Sequence, residues 1–192
     1  MNPWFGKAII LASSVVMVLI RTPHGQRSRG VKVVRSRRGA LEIVLLTLAW
    51  GAFFVPLVWV AAPVAFADYP LRPVPLSAGI VCLAVGLWLF ARSHADLGTN
   101  WSITLEVREK HQLVTQGIYR ALRHPMYSAL LLYSVGQALV VPNWIAGPSY
   151  AVAMSLLFAC RLGPEERMML EEFGMDYEAY MGRTKRLVPG IW

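Results

Sequence analysis

The chain has 192 residues, of which 56% are hydrophobic and 16% are charged, and its formal net charge is +8. Soluble domains average about 45–50% apolar and about 25% charged residues, so this composition argues against an ordinary water-soluble fold. The positive charge does not indicate nucleic-acid binding, because seven of the 19 basic residues lie in one segment, 21–38, between two apolar runs. That placement is typical of a membrane-topology signal.

Five apolar segments follow one another along the chain. A helix needs about 20 residues to cross about 30 Å of hydrocarbon, and only the second segment reaches that length comfortably. The shorter segments must thin the bilayer or use flanking anchors. The sequence therefore predicts an all-α, polytopic membrane protein, one domain over residues 1–192, with about five transmembrane helices at 4–20, 40–61, 76–91, 126–141 and 144–160.

The basic segment 21–38 predicts the orientation of the chain. Basic loops stay in the cytoplasm, so the N-terminus is predicted to lie outside and, after five crossings, the C-terminus inside. The polar stretches 98–127 and 161–192 then both fall on the cytoplasmic side, the second as a small C-terminal cap. We expect an integral protein of the cell membrane whose site faces the cytoplasm.

The C-terminal cap is predicted to contain two short helices. Proline suits a first helical turn and carboxylates there complement the helix dipole, so Pro164-Glu165-Glu166 is expected to open the first. Gly174 is expected to end it, and the second is expected over 176–181. Gly163-Pro164 is thus predicted to break the helix after the fifth span.

Both polar stretches carry a motif set in a fixed order. The chain resembles the isoprenylcysteine carboxyl methyltransferase family, whose wider group of membrane methyltransferases includes phospholipid N-methyltransferases. The resemblance covers the chain from Gly98 onward. It is carried by Leu113-Val114, Gly117-Ile118-Tyr119, Arg123-His124-Pro125-Met126-Tyr127, Arg161, Glu165-Glu166, Phe173-Gly174, Tyr177 and Tyr180.

The resemblance implies a site for S-adenosyl-L-methionine, with S-adenosyl-L-homocysteine as the product. It also implies that Arg161 contacts the substrate, so that Arg161 and Glu165 are the candidate catalytic residues. The cofactor parts are 98–127 and 161–192. The implied cofactor contacts are Glu106, His111, Gln112, Leu113, Val114, Tyr119, His124, Pro125, Met126, Tyr127 and Glu165.

The chemistry of these side chains agrees with a cationic cofactor. Aromatic faces of Tyr119 and Tyr127 and the carboxylate of Glu165 suit a sulfonium cation. His111, Gln112 and backbone groups can hydrogen-bond the amino-acid end and the ribose. Methyl transfer is an in-line displacement that needs positioning and desolvation, and we expect no metal.

Arg161 decides which acceptor the sequence favours. A guanidinium can bind a carboxylate through two parallel hydrogen bonds (bidentately), and a carboxylate is already deprotonated at neutral pH. We therefore expect O-methylation of a carboxylate on an amphiphilic or prenylated acceptor that enters from the bilayer. N-methylation of an aminophospholipid stays open, because a phosphate would satisfy Arg161 and Glu165 or His124 could act as the base.

Other assignments also stay open at this point. A membrane reductase that uses NADPH has a similar helical arrangement, and a small transporter is the non-enzymatic alternative. Arg123 and Arg161 could be interfacial anchors, and Glu165-Glu166 could be simple first-turn carboxylates. Tyr177 and Tyr180 are expected to be interface anchors rather than ligand contacts.

Overall fold

The computed structural model describes residues 2–29, 33–36, 39–62, 65–98, 106–108 and 112–191, and within these it contains six α-helices and a two-stranded β-ribbon. The predicted all-α class is confirmed, with the ribbon as an unpredicted addition. The elements are α1 (Trp4–Arg29), β1 (Val33–Ser36), α2 (Ala40–Ala61), α3 (Pro73–Leu97), β2 (Glu106–Arg108), α4 (Pro125–Val140), α5 (Ser149–Phe173) and α6 (Met175–Arg183).

Three of these helices are long and apolar enough to cross a membrane, as judged over the described residues. They are Trp4–Arg27 within α1, the whole of α2 and the whole of α3, and an 18-residue window in each has a mean hydropathy of 1.7, 2.3 and 2.2, respectively. Large apolar side chains such as Leu41, Val44 and Leu48 remain exposed on α2. Because soluble proteins seldom expose such a surface, these faces meet lipid. The polytopic membrane class is thereby confirmed.

The loops pair at opposite ends of the helical bundle. β1, in the α1–α2 connection, pairs antiparallel with β2, in the α3–α4 connection. At the other end, an isolated bridge joins Asp68 of the α2–α3 connection to Asn143 of the α4–α5 connection. Helices α1 to α5 therefore run alternately in opposite directions. This alternation is what five crossings require, although the number of crossings stays a prediction.

Glycines allow α3 and α4 to pack closely. A Cβ atom on Gly86 of α3 would lie 3.0 Å from the backbone nitrogen of Tyr133, and one on Gly136 of α4 would lie 2.9 Å from the carbonyl oxygen of Gly79. Small residues at such positions let two helix backbones approach, which is a main source of packing energy between helices in lipid. The packing of α3 against α4 holds α4 in place, and the first residues of α4 belong to the candidate site described below.

The helices differ from the predicted segments mainly at their ends. α1 and α3 extend past their apolar cores to Arg29 and Leu97. α5 begins at Ser149, five residues after the predicted start, because residues 144–148 form turns. α6 covers Met175–Arg183 instead of 176–181, and Gly174, with φ of 51°, ends α5 as predicted.

The predicted helix break at Gly163-Pro164 is wrong. α5 continues through Pro164 to Phe173, so Glu165 and Glu166 lie in the interior of a helix and not in a first turn. Proline removes one backbone N–H, a loss that helices tolerate where neighbouring elements hold the chain. Side-chain contacts on both sides of Pro164, described below, provide that support.

Candidate active site

A cavity of about 210 Å³ lies at the end of the bundle that carries the β-ribbon. One part of its wall is apolar and comes from α1, α2 and α5, with Met17, Phe53 and Leu157 as examples. The other part is polar and comes from the segment before α4, the start of α4, the second half of α5, and α6. The cavity therefore joins the lipid-facing helices to the polar end of the protein.

His124 stands at the start of α4, where its position is fixed by the backbone. It is the N-cap residue, and Pro125 occupies the first helical position, where a missing N–H costs nothing. The His124 N–H donates to the carbonyl oxygen of Arg186 at 3.0 Å, and the Arg123 N–H donates to that of Lys185 at 2.8 Å. The C-terminal segment 184–187 thus holds the backbone of Arg123 and His124 in place through these hydrogen bonds.

Glu166 ties this C-terminal segment to α5. Glu166 is 5% exposed, and its carboxylate accepts hydrogen bonds from Arg123 Nε at 2.9 Å and from Arg186 Nη2 at 2.7 Å. Burial alone would raise the pKa of Glu166, but the contacts with His124, Arg186 and Arg123 lower it to about 2. Glu166 is therefore ionised at neutral pH, and Arg123, whose side chain is 10% exposed, is a structural partner of Glu166 instead of an interfacial anchor.

Five side chains form a connected polar row beside the cavity. The Tyr127 hydroxyl donates to Oε2 of Glu165, and Nε of Arg161 lies 3.5 Å from the same oxygen. Nη1 of Arg161 lies 3.3 Å from Oε1 of Glu42 on α2. His124 approaches from the other side, with Nδ1 3.7 Å from Oε1 of Glu165. The continuous α5 makes Arg161 and Glu165 a true i, i+4 pair.

Aromatic rings enclose this row. Phe158 stacks on Tyr127 with ring centroids 4.2 Å apart and planes 20° apart, so one face of the Tyr127 ring is covered. Tyr119 is buried, and its pKa is raised, first by burial and then by the Glu165 carboxylate. The Tyr180 hydroxyl donates to the Tyr119 carbonyl at 2.6 Å. The stacked Tyr127 ring thus presents its hydroxyl to Glu165, and the phenol of Tyr119 stays protonated.

Most residues predicted for the site meet at the cavity. Pro125 is buried at the start of α4 without lining it. His111 lies outside the described residues, as does the side chain of Glu106, whose backbone belongs to β2. The predicted residues that line the cavity are Gln112, Leu113, Val114, Tyr119, His124, Met126, Tyr127, Arg161 and Glu165.

The structure adds residues from the first two helices that the motifs did not indicate. Arg21 of α1 lines the cavity with its guanidinium carbon 4.7 Å from the ring centroid of Trp50 on α2. Glu42 reaches Arg161. A single charge at the edge of an apolar segment was the available signal for both. The prediction that Tyr177 and Tyr180 are interface anchors is wrong, since both are 2% exposed and line the cavity.

The bundle and its cavity define a class of protein: an integral membrane protein whose polar site opens onto apolar, lipid-facing helices. Residues 78–171 match the model of the isoprenylcysteine carboxyl methyltransferase family. The resemblance to that family is therefore confirmed. The matched part runs from α3 to near the end of α5 and includes Tyr127, Arg161 and Glu165.

Named relatives carry the same description. Protein-S-isoprenylcysteine O-methyltransferase B of Arabidopsis thaliana is 33% identical over 115 residues, which are 59% of this chain and 58% of that protein. The Homo sapiens protein-S-isoprenylcysteine O-methyltransferase is 30% identical over 115 residues, which are 59% of this chain and 40% of the human one. This chain thus spans about three fifths or less of these relatives.

A solved structure shares the fold. It is that of the eukaryotic intramembrane Ras methyltransferase, isoprenylcysteine carboxyl methyltransferase, with a TM-score of 0.55 and 25% sequence identity. The match covers 81% of this chain and 54% of that one. The shared fold therefore extends beyond the 115 residues that the sequence comparisons align.

Proposed function

We propose that this chain is an integral membrane methyltransferase that uses S-adenosylmethionine to methylate a carboxylate on a lipid-like or prenylated acceptor. The observation that carries the proposal is the row of Tyr127, Glu165 and Arg161 beside a cavity with one polar and one apolar wall. The names of the relatives agree with it, since they are isoprenylcysteine O-methyltransferases.

The polar wall fits the cofactor chemically. When bound, S-adenosylmethionine supplies an electrophilic methyl group on a positively charged sulfonium. Glu165 would face that charge, with its carboxylate oriented by the Tyr127 hydroxyl. Gln112, His124 and the backbone of 112–114 would take the amino-acid and ribose groups, since they line the same wall.

Arg161 would hold the acceptor. Its guanidinium lies on the same side of α5 as Glu165, one turn away, so a carboxylate bound to Arg161 is held near a cation beside Glu165. An acceptor carboxylate is already ionised at neutral pH and needs no general base. The apolar wall from α1, α2 and α5 would take the hydrocarbon part of the acceptor and exclude water.

The orientation in the membrane forms part of the proposal. The ribbon places the basic α1–α2 connection and the α3–α4 connection at one end of the bundle, together with the cavity. Basic connections favour the cytoplasm, so the site and the C-terminus would be cytoplasmic and the N-terminus external. The cofactor would then enter from the cytoplasm and the acceptor from the bilayer.

The test is methyl transfer by the purified protein in liposomes. The labelled cofactor is S-adenosylmethionine with a radioactive methyl group, and the acceptor probe is N-acetyl-S-farnesylcysteine. We expect label in the probe that mild base releases as volatile methanol, because the product is a methyl ester. Label that appears only in phosphatidylethanolamine and resists base would reject carboxyl methylation in favour of N-methylation.

A further inference from the structure

Glu42 is the second acidic side chain at Arg161, and neither the family match over 78–171 nor the sequence motifs include it. It lies in the first turn of α2, and its side chain is 11% exposed. Arg161 therefore has two carboxylates as neighbours, Glu42 from α2 and Glu165 from its own helix. If Glu165 balances a cationic cofactor, Glu42 is the counter-ion that remains with Arg161.

The contact between Glu42 and Arg161 is loose. Their closest atoms are 3.3 Å apart, whereas strong charge-assisted hydrogen bonds measure about 2.7–2.9 Å. The same protein makes such tight bonds elsewhere, at 2.7 and 2.9 Å around Glu166. An ion pair of this length with Arg161 costs less to exchange for another anion than one made of tight hydrogen bonds.

Glu42 also has a second place for its charge. The N-cap of α2 is Gly39, which makes no side-chain hydrogen bond to the helix, and Glu42 is the third helical residue. A glutamate at that position can reach back to the N-cap N–H, and its charge is stabilised by the positive end of the helix dipole. The carboxylate can therefore leave Arg161 and remain stabilised at the end of α2.

The geometry points to Glu42 as the resident counter-ion of Arg161, which the carboxylate of the acceptor displaces when it binds. This inference rests on the proposed function, because it takes Arg161 as the acceptor site. Glu42 then acts through Arg161 as a specificity-determining residue. It neutralises the guanidinium while the acceptor is absent, and it weakens carboxylate binding by competing for the same group.

Equilibrium binding in detergent micelles tests this with two probes, N-acetyl-S-farnesylcysteine and its carboxamide. In the Glu42→Gln variant the competing charge is gone. We expect affinity for the carboxylate probe to rise about 5- to 20-fold, with less than about a twofold change for the carboxamide. Affinity for S-adenosylmethionine should stay within about twofold, since Glu165 is untouched. Glu172→Gln, the same change at an exposed position of α5, is the control and should leave all three affinities unchanged.

The ratio of carboxylate to carboxamide affinity decides the outcome. An unchanged ratio in Glu42→Gln, or a lower carboxylate affinity, overturns the inference and makes Glu42 a fixed support for Arg161. If Glu42→Gln does not fold, Glu42→Asp withdraws the carboxylate by one methylene and should shift the ratio in the same direction by a smaller factor. If the wild-type protein binds the carboxylate probe but transfers no methyl group, the proposed function is rejected. The carboxylate-to-carboxamide affinity ratio can still be measured in that case, because it depends on binding alone.

Discussion

Replacing Glu166 by glutamine should destabilise the protein and release the segment that holds His124. Glu166 is 5% exposed, and its pKa is lowered from 4.5 to about 2 by its partners. A difference of one pKa unit corresponds to about 1.4 kcal/mol, so the partners favour the ionised form by about 3 kcal/mol. Because glutamine retains some hydrogen bonding, we expect a loss of about 2–3 kcal/mol at pH 7.

Thermal unfolding in detergent measures this loss. For a chain of this size, about 2–3 kcal/mol corresponds to a Tm decrease of about 5–10 °C. A carboxylate with a depressed pKa contributes its full stability above its unfolded value near 4.5 and loses it as the pH falls towards 2. The Tm difference between wild type and Glu166→Gln should therefore be constant above about pH 5 and should shrink below about pH 4. Glu172→Gln is the exposed control. A difference below about 2 °C at pH 7, or one that does not change with pH, would refute the reasoning.

Three further predictions concern the site and its orientation. Arg161→Lys keeps the positive charge but loses the planar guanidinium that can bind a carboxylate bidentately. Turnover should therefore fall about 30- to 1000-fold, or about 2–4 kcal/mol, while affinity for the cofactor is retained. Equal losses of turnover and cofactor affinity would make Arg161 a cofactor ligand. His124→Ala and Tyr127→Ala should each weaken S-adenosylmethionine binding, measured by calorimetry in detergent, without unfolding the protein, and unchanged affinity in both removes them from the cofactor site. Reporter fusions after Arg38 and after Trp192 should both report the cytoplasm, and opposite results mean that the number of crossings is wrong.

The sequence predicted the helices and the C-terminal half of the site because both have local signatures. Apolar runs identify spans without any knowledge of their neighbours. Tyr119, His124 and Tyr127 lie within nine residues of one another in the chain. The local backbone around the start of α4 is therefore enough to bring all three to the cavity. The motif order then placed Arg161 and Glu165 in the same site, although they follow about 35 residues later along the chain.

The contribution of α1 and α2 could not be predicted in the same way. A membrane helix is apolar on nearly all sides, so its sequence does not show which face lines a cavity and which meets lipid. Met17 and Phe53 point to the cavity because of how the helices pack, a long-range property. The β-ribbon has the same origin, since β1 and β2 are very short and are stabilised by pairing across about 70 residues.

The adjacent glutamates of α5 explain why the helix has to continue through Pro164. Consecutive residues on an α-helix point about 100° apart, so Glu165 and Glu166 face different partners. Glu165 turns to Tyr127 and the cavity, whereas Glu166 turns to Arg123 and the C-terminal segment. A helix that restarted at Pro164 would leave the angle between Arg161 and Glu165 unfixed. The unbroken α5 instead sets Arg161, Glu165 and Glu166 on one rigid element, which is the precision that the proposed in-line methyl transfer would require.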